Sequence, residues 1–411
     1  MKENGGARWR LTKEEEQEIR DLKAVFHKNP ELSFKEYATT KRIQDKIEEI
    51  NRKNGSKVIE ILTLLSPMET GIIAKLTGEK PGKSIAFRSD MDAILQEEEL
   101  SHEVRSTVSG VMHACGHDFH MASLLGTMMV LGRNVDEVFG TIYFIFQPAE
   151  ENTKGAQAMI DHGLFDMIKP DLIFASHNRP EISAGQVVVH KGGLMAAKNN
   201  FRILLEGEGG HGSMPHKCVD PIVCAAAIIQ TLQTVVSRNT DPLQAVVLTI
   251  GSIHGGTEDN LVVDKVTLTG SMRALSEEVR RRALKRIKDI VENMAAAYEC
   301  KAEFIIEQLL PACENKKEMF EIAKSAAKAT VGEENVVDCK PALASEDFSL
   351  MMEKVPGFLF WVGSGGDGEC YSWHNAKFKT NDDGIRTGAE LFVQTVFAAN
   401  RKNMFAANGK K

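Results

Sequence analysis

Three short apolar runs constrain this chain more than any other feature: SIAFRSDMDAI (84–94), GTIYFIFQPAEE (140–151) and DLIFASHN (171–178), each closing on polar residues. They read as strands buried on both faces, which is the pattern of a largely parallel sheet covered by helices. The stretches FHMASLLGTMMVLG (119–132) and KGAQAMIDHGLF (154–165) lie between them and are helical in pattern. Buried strands alternating with helices predict an α/β domain. In such a sheet, ligands bind beyond the carboxyl ends of the strands, where these closing polar residues would gather.

Near residue 195 the pattern changes. FRILLEGEG (201–209) and KVTLTGSMRAL (265–275) alternate with period two, as half-exposed antiparallel strands do, and long helical stretches at 220–239 and 276–299 separate them. After Pro311 the α/β pattern returns, with a helix at 316–329 and the strand PGFLFWVGSG (356–365). The expected organisation is therefore one catalytic-type domain (1–194 and 311–411) interrupted by a smaller α+β domain (195–310).

The net charge of −7, from 50 basic and 57 acidic residues, argues against nucleic acid or an anionic membrane as partner. The run RRRALKR (280–286) reads as a solvated helix face. The charged N-terminus lacks the apolar core of a signal peptide, and no run of the sequence approaches the roughly 20 apolar residues of a membrane span. Seven cysteines without disulfide-like spacing point to a reducing compartment, with cytoplasm as the expectation.

The densest chemistry lies in VMHACGHDFHM (111–121). Cys115 and His117 flank a glycine at the start of a helix, and thiolate with imidazole suits zinc, manganese, cobalt or nickel. An isolated C-x-H is more often a buried thiol beside a structural histidine; its company changes that. QPAEE places Glu150 and Glu151 together at the end of an apolar strand, where adjacent carboxylates repel unless a cation or a proton relieves them. One of the pair can ligate while the other serves as general base. His177 closes the next strand and His374 follows the last one, so Cys115, His117, Glu151, His177 and His374 supply donors for two cations at one sheet edge. Such a pair lowers the pKa of a shared water enough for direct attack on an amide. No G-x-S-x-G nucleophile elbow competes with that reading.

In this order, FRSDMDAI, MHACGHDFHMASLLG, FQPAEE, GEGGHGSMPH, NLVVDKVTLTGSMR, ASEDFS and WHNAKF resemble the dinuclear metal-dependent N-acyl-amino-acid amidohydrolases. Hippurate hydrolase, auxin-conjugate hydrolases and N-acetyl-diaminopimelate deacetylase are of this kind. The likeness runs from about residue 20 to 400. It implies a zinc-exopeptidase-like catalytic domain interrupted by a ferredoxin-like lid, and a homodimer built through the lids. It puts the metal ligands on Cys115, His117, Glu151, His177 and His374 and the general base on Glu150. Asp92 falls in a supporting position behind the ligands, with Asp90 and Asp118 as further candidates. His211, after two glycines in GGHGSMPH, falls where the family stabilises the oxyanion. Arg273 and Asn260 fall where it binds a substrate carboxylate.

The implied reaction is hydrolysis of the amide of an N-acyl amino acid or small conjugate at two divalent ions, zinc or manganese first, cobalt or nickel next. A dipeptidase with the same apparatus is the second reading. A non-catalytic metal-containing binder is the third, and it would be expected to have lost the base or a ligand. IL stands where the family usually has LP after DMDA, Val263 stands where proline is common, and Trp373 precedes the ligand histidine. That bulky ring is expected to shape the acyl or leaving-group pocket.

Overall fold

The computed structural model describes residues 7–55, 57–62, 68–100, 104–366 and 368–401. It divides into two compact units. One runs up to Lys191 and takes in Asn315–Cys339 and the chain from Leu350 on; the other is Gly192–Glu314 with Lys340–Ser349.

The first unit is built on an eight-stranded sheet: β1 (Ile59–Leu62), β2 (Ile72–Thr77), β3 (Ile85–Asp90), β4 (Thr141–Gln147), β5 (Leu172–Ser183), β6 (Val187–Val188), β7 (Val336–Val337) and β8 (Gly357–Gly365). Their spatial order is β1-β2-β4-β3-β5-β8-β6-β7. The four central strands run parallel. The β1–β2, β2–β4 and β6–β8 pairs are antiparallel, so the sheet is mixed with a parallel centre. Register carries Asp90 beside Gln147 and His177 beside Trp361, aligning the closing polar residues along one edge.

Helix α1 (Lys13–Lys28) opens with a capping box, Thr12 accepting from the Glu15 backbone and Glu15 accepting from that of Thr12. Helix α2 (Tyr37–Lys53) follows, and α3 (His117–Gly132) is buried along all 16 of its residues. Such a helix has no solvent face, which is why FHMASLLGTMMVLG shows no amphipathic stripe. It packs against α1, α2 and α5 (Asp383–Ala399), while α4 (Lys317–Val331) packs on α5. Phe87 meets Phe392 of α5 at 4.7 Å between ring centroids, and Phe174 meets Phe360 at 6.1 Å.

The second unit follows the order strand, helix, strand, strand, helix, strand. Its antiparallel sheet places Val246–His254, Lys265–Ala274, Ala197–Glu206 and Lys301–Leu310 side by side, a ferredoxin-like topology. Helices Pro221–Asn239 and Glu277–Ala297 cover one face. By length and apolar content alone, Pro221–Asn239 could cross a membrane, so the expectation that no such segment exists is corrected. The helix instead buries Cys224, Ala225, Ile228, Leu232 and Val235 in the core of this unit. The unit's limits fall at 191/192 and 314/315, and 340–349 returns to it. That segment is tied in by backbone bonds from Ala342 to Leu194 and from Ala196 to Ala344.

A buried ionic cluster joins α1 to the start of α3. His27 Nδ1 donates to Asp118 at 2.8 Å and Nε2 to Glu98 at 3.3 Å, while Lys23 lies 3.7 Å from Asp118 and 3.0 Å from Asp382. Burial alone would lower the His27 pKa; the Asp118 hydrogen bond and charge, with help from Glu98, raise it to about 9. A histidine whose folded pKa lies above its ordinary 6.5 contributes stability in full below pH 6.5 and loses it as pH rises through about 9. Urea unfolding between pH 6 and 9.5 should therefore show the advantage of wild type over His27→Gln shrinking across that window. A pH-independent difference would remove the ionic explanation.

Candidate metal centre

Asp92, two residues past the end of β3, organises the centre. Its Oδ1 accepts the backbone N–H of Glu150 at 3.0 Å and the Nδ1–H of His117 at 3.3 Å. Its Oδ2 accepts the backbone N–H of Glu151 at 3.1 Å and the Ser33 hydroxyl at 2.7 Å. One carboxylate thereby sets the tautomer of His117 and the course of the turn that carries both glutamates.

With Nδ1 occupied, His117 directs Nε2 at acids: 3.7 Å to Glu151 Oε1, 3.9 Å to Glu150 Oε2 and 3.7 Å to Asp90 Oδ2. Burial lowers the pKa of this ring, but Asp90, the Asp92 hydrogen bond and Glu151 more than reverse it, to about 10. The surroundings demand positive charge at that point. His117 Nε2 and Glu151 Oε1 are both buried and without a hydrogen-bond partner, which is how cation donors present themselves in a ligand-free fold.

The other donors converge on the same place. Cys115 Sγ lies 3.5 Å from His177 Nε2, whose ring donates through Nδ1 to the Asn178 carbonyl at 2.8 Å and so keeps the Nε2 lone pair free. Burial, the largest cause, holds the His177 pKa well below its ordinary value, as a neutral ligand requires. His374 Nε2 lies 3.2 Å from Glu151 Oε2. In each of the triads Cys115–His117–His177, Cys115–Glu151–His374 and His117–Glu150–Glu151, donor atoms fall within 4.8 Å of one another. Thiolate, imidazole and carboxylate in overlapping triads suit two divalent cations.

Gly116 has φ of +86°, and a Cβ there would sit 2.4 Å from Asn178 Nδ2, so the glycine between the two donors is required twice over. The remaining residues of the HACGHDFH cluster divide. His120 accepts the Asn178 N–H on Nε2 and donates to Asp90 at 2.6 Å; Asp90 also takes Arg88 at 2.8 Å. Asp90 thus supports His120 and faces His117, whereas Asp118 turns to His27 and Lys23 and supports no ligand ring directly. His113 is buried with neither ring nitrogen partnered, and burial pulls its pKa to about 4.

The remaining named residues belong to the second unit. His211 and Asn260 meet on a two-stranded ribbon pairing 210–211 with 261–262, and Gly212 N–H donates to the Asn260 carbonyl at 2.8 Å. His211 Nδ1 accepts the Ser213 backbone N–H at 3.1 Å, so the neutral ring carries its proton on Nε2. Arg273 Nη1 is held by the Leu343 carbonyl at 2.7 Å and Ser345 Oγ at 3.0 Å.

Sequence reasoning missed Glu36. Its Oε1 accepts the N–H of Ala149 at 2.9 Å and that of Phe34 at 3.0 Å. Ala149 has φ of +55°, an unfavourable conformation for a residue with a side chain, and Glu36 and Asp92 together bind three successive N–H groups of that turn. Nothing in PELSFKE announces this, because the contact spans more than a hundred residues.

The chain belongs to peptidase family M20/M25/M40, whose sequence pattern matches residues 86–398, and it is a hydrolase of amide bonds. It is 37% identical over 374 residues to an N-acetylcysteine deacetylase of Bacillus subtilis, covering 91% of this chain and 94% of that one. It is also 37% identical over 383 residues to thermostable carboxypeptidase 2 of Saccharolobus solfataricus, covering 92% and 94%. A solved Bacillus subtilis structure described as a dinuclear metal binding peptidase of the M20 family superposes with a TM-score of 0.81. It shares 33% identity and covers 95% of this chain and 99% of that one.

Burial and then Asp92 raise the Glu36 pKa to about 7, so its carboxyl opposes folding as pH rises from 4.5 through 7. Glu36→Gln keeps an acceptor without the charge and should melt no lower than wild type at pH 8. Glu36→Leu leaves two backbone N–H groups unpaired and should cost about 1–3 kcal/mol. Equal melting of all three proteins would show that the clamp contributes nothing.

Proposed function

We propose that this protein hydrolyses the amide of an N-acyl amino acid, or a small conjugate with a free carboxylate, at two divalent cations. Cys115, His117, Glu151, His177 and His374 would hold them, with zinc or manganese as the metals. The observation that carries the reading is the pair of orphaned buried atoms, His117 Nε2 and Glu151 Oε1, facing one another beside Glu150.

Bound there, such cations acidify a water and polarise the scissile carbonyl. The chain's own residues do the rest. Glu150, 6% exposed and fixed through its backbone to Asp92, takes the proton from the attacking water and returns it to the departing amine. His211, with its proton on Nε2, donates to the oxyanion. Arg273 and Asn260 receive the carboxylate that follows the amide. The deacetylase and dinuclear-peptidase relatives support this reading. The carboxypeptidase relative keeps peptide hydrolysis at the same centre as the second reading.

All seven cysteines are free thiols, in keeping with a reducing, cytoplasmic setting. Val246–His254 is an edge strand exposing Val247 and Ile253, and the helix Pro221–Asn239 exposes Ile222, Val223 and Val236. An exposed apolar edge of this kind needs a cover, and a second copy pairing edge to edge supplies one.

Glu150→Gln should retain the metal content of wild type by elemental analysis and lose about 10²–10⁴-fold in kcat on N-acetyl, N-benzoyl and dipeptide substrates. Turnover near wild type would end the general-base assignment. Light scattering should give twice the chain mass for wild type and the single chain mass for Val247→Lys/Ile253→Lys; an unchanged mass would place the interface elsewhere.

A further inference from the structure

His374 is the exception among the five donors. His117 and His177 stand on a helix and a strand and are buried, whereas the His374 side chain is 53% exposed. Among the described residues between β8 and α5 there is no helix or strand, and His374 itself has φ of +63°. An imidazole on an irregular, strained segment needs an outside support to hold its orientation, because ligand geometry is set by what packs and bonds behind it. Its own backbone provides one tie, an N–H to the Ala114 carbonyl at 2.9 Å.

The second support is Trp373. Its ring lies 4.6 Å from the Arg179 guanidinium, which also lies 4.4 Å from the fully buried Trp361, and the two indoles meet edge-on at 6.2 Å. Arg179 is fixed there by Glu181, which accepts from Nε at 2.7 Å. The Trp373 ring also meets His177 edge-on at 4.9 Å, and its Nε1–H donates to Asn178 Oδ1 at 3.3 Å. Asn178 in turn bonds the Cys115 carbonyl, His120 Nε2 and the Ser364 hydroxyl. A planar guanidinium packed on two indoles at once restrains both rings in a way that an ammonium cannot.

We infer that Asn178 and Arg179, the two residues following His177 on β5, are positioning residues that hold His374 in place through Trp373. One stretch of backbone thereby sets the separation of His177 and His374, and with it the affinity for the cation that His374 binds. The inference rests on the reading of His374 as a ligand.

Apo-protein titrated with Zn²⁺ and with Mn²⁺ in a calorimeter tests it. Arg179→Leu should weaken one of the two binding steps by about 10–100-fold and leave the other unchanged, and Arg179→Lys should recover only part of the loss. Because Arg179 acts through Trp373, the double variant Arg179→Leu/Trp373→Leu should bind as Trp373→Leu alone does. Wild-type affinity at both steps in Arg179→Leu, or losses that add in the double variant, would overturn the coupling. If Arg179→Leu does not fold, Trp373→Phe keeps an aromatic ring beside Arg179 and drops the bond to Asn178. It should weaken the same step by a smaller factor, and no weakening would overturn the coupling. His374→Ala is the control: two steps of unchanged affinity there would overturn the ligand assignment itself.

Discussion

The geometry of the centre depends on the four hydrogen bonds accepted by Asp92. They come from three places in the chain: Ser33 ahead of α2, His117 at the start of α3, and the successive amides of Glu150 and Glu151 past β4. The turn they stabilise begins at Ala149 in a left-handed conformation, a strain of order 1–3 kcal/mol. Hydrogen bonds to a charged acceptor contribute about 1.5–3 kcal/mol each, so Asp92, with Glu36 at the Ala149 amide, outweighs that strain. What the strain achieves is direction, because both glutamate side chains then face His117.

The charge distribution follows from the same arrangement. Asp90, Asp92, Glu150 and Glu151 surround one buried imidazole, and that much negative charge in a dry site persists only if cations answer it. Arg88, 1% exposed, answers part of it from behind by binding Asp90 and Gln147. The front is left to whatever occupies the donor set. Acids behind a ligand fix its tautomer, while acids beside it set the charge to be bound; Asp92 performs the first role and Glu151 the second.

The strands and the parallel centre were legible because apolar runs are local signals, and the five candidate donors stood out by equally local ones: a closing histidine, a glycine between Cys115 and His117. The partners behind the donors were not. Glu36, Asn178 and Arg179 meet partners far along the chain that no periodicity reveals, as Arg88 does in binding Gln147. The same blindness hides the contacts of Trp373 with Arg179 and His177, which WHNAKF does not announce. Segment 340–349 reads as part of the resumed α/β pattern, yet its hydrogen bonds return it to the other unit.

The packing of Arg179 against Trp361 and Trp373 has a practical side. The chain holds three tryptophans, and the remaining one, Trp9, lies on Phe397 of α5, with ring centroids 4.4 Å apart. Two of the three indoles thus share one cluster around Arg179 that touches His177. The protein's native ultraviolet emission therefore arises largely beside the loop that bears His374, a signal read without any attached dye.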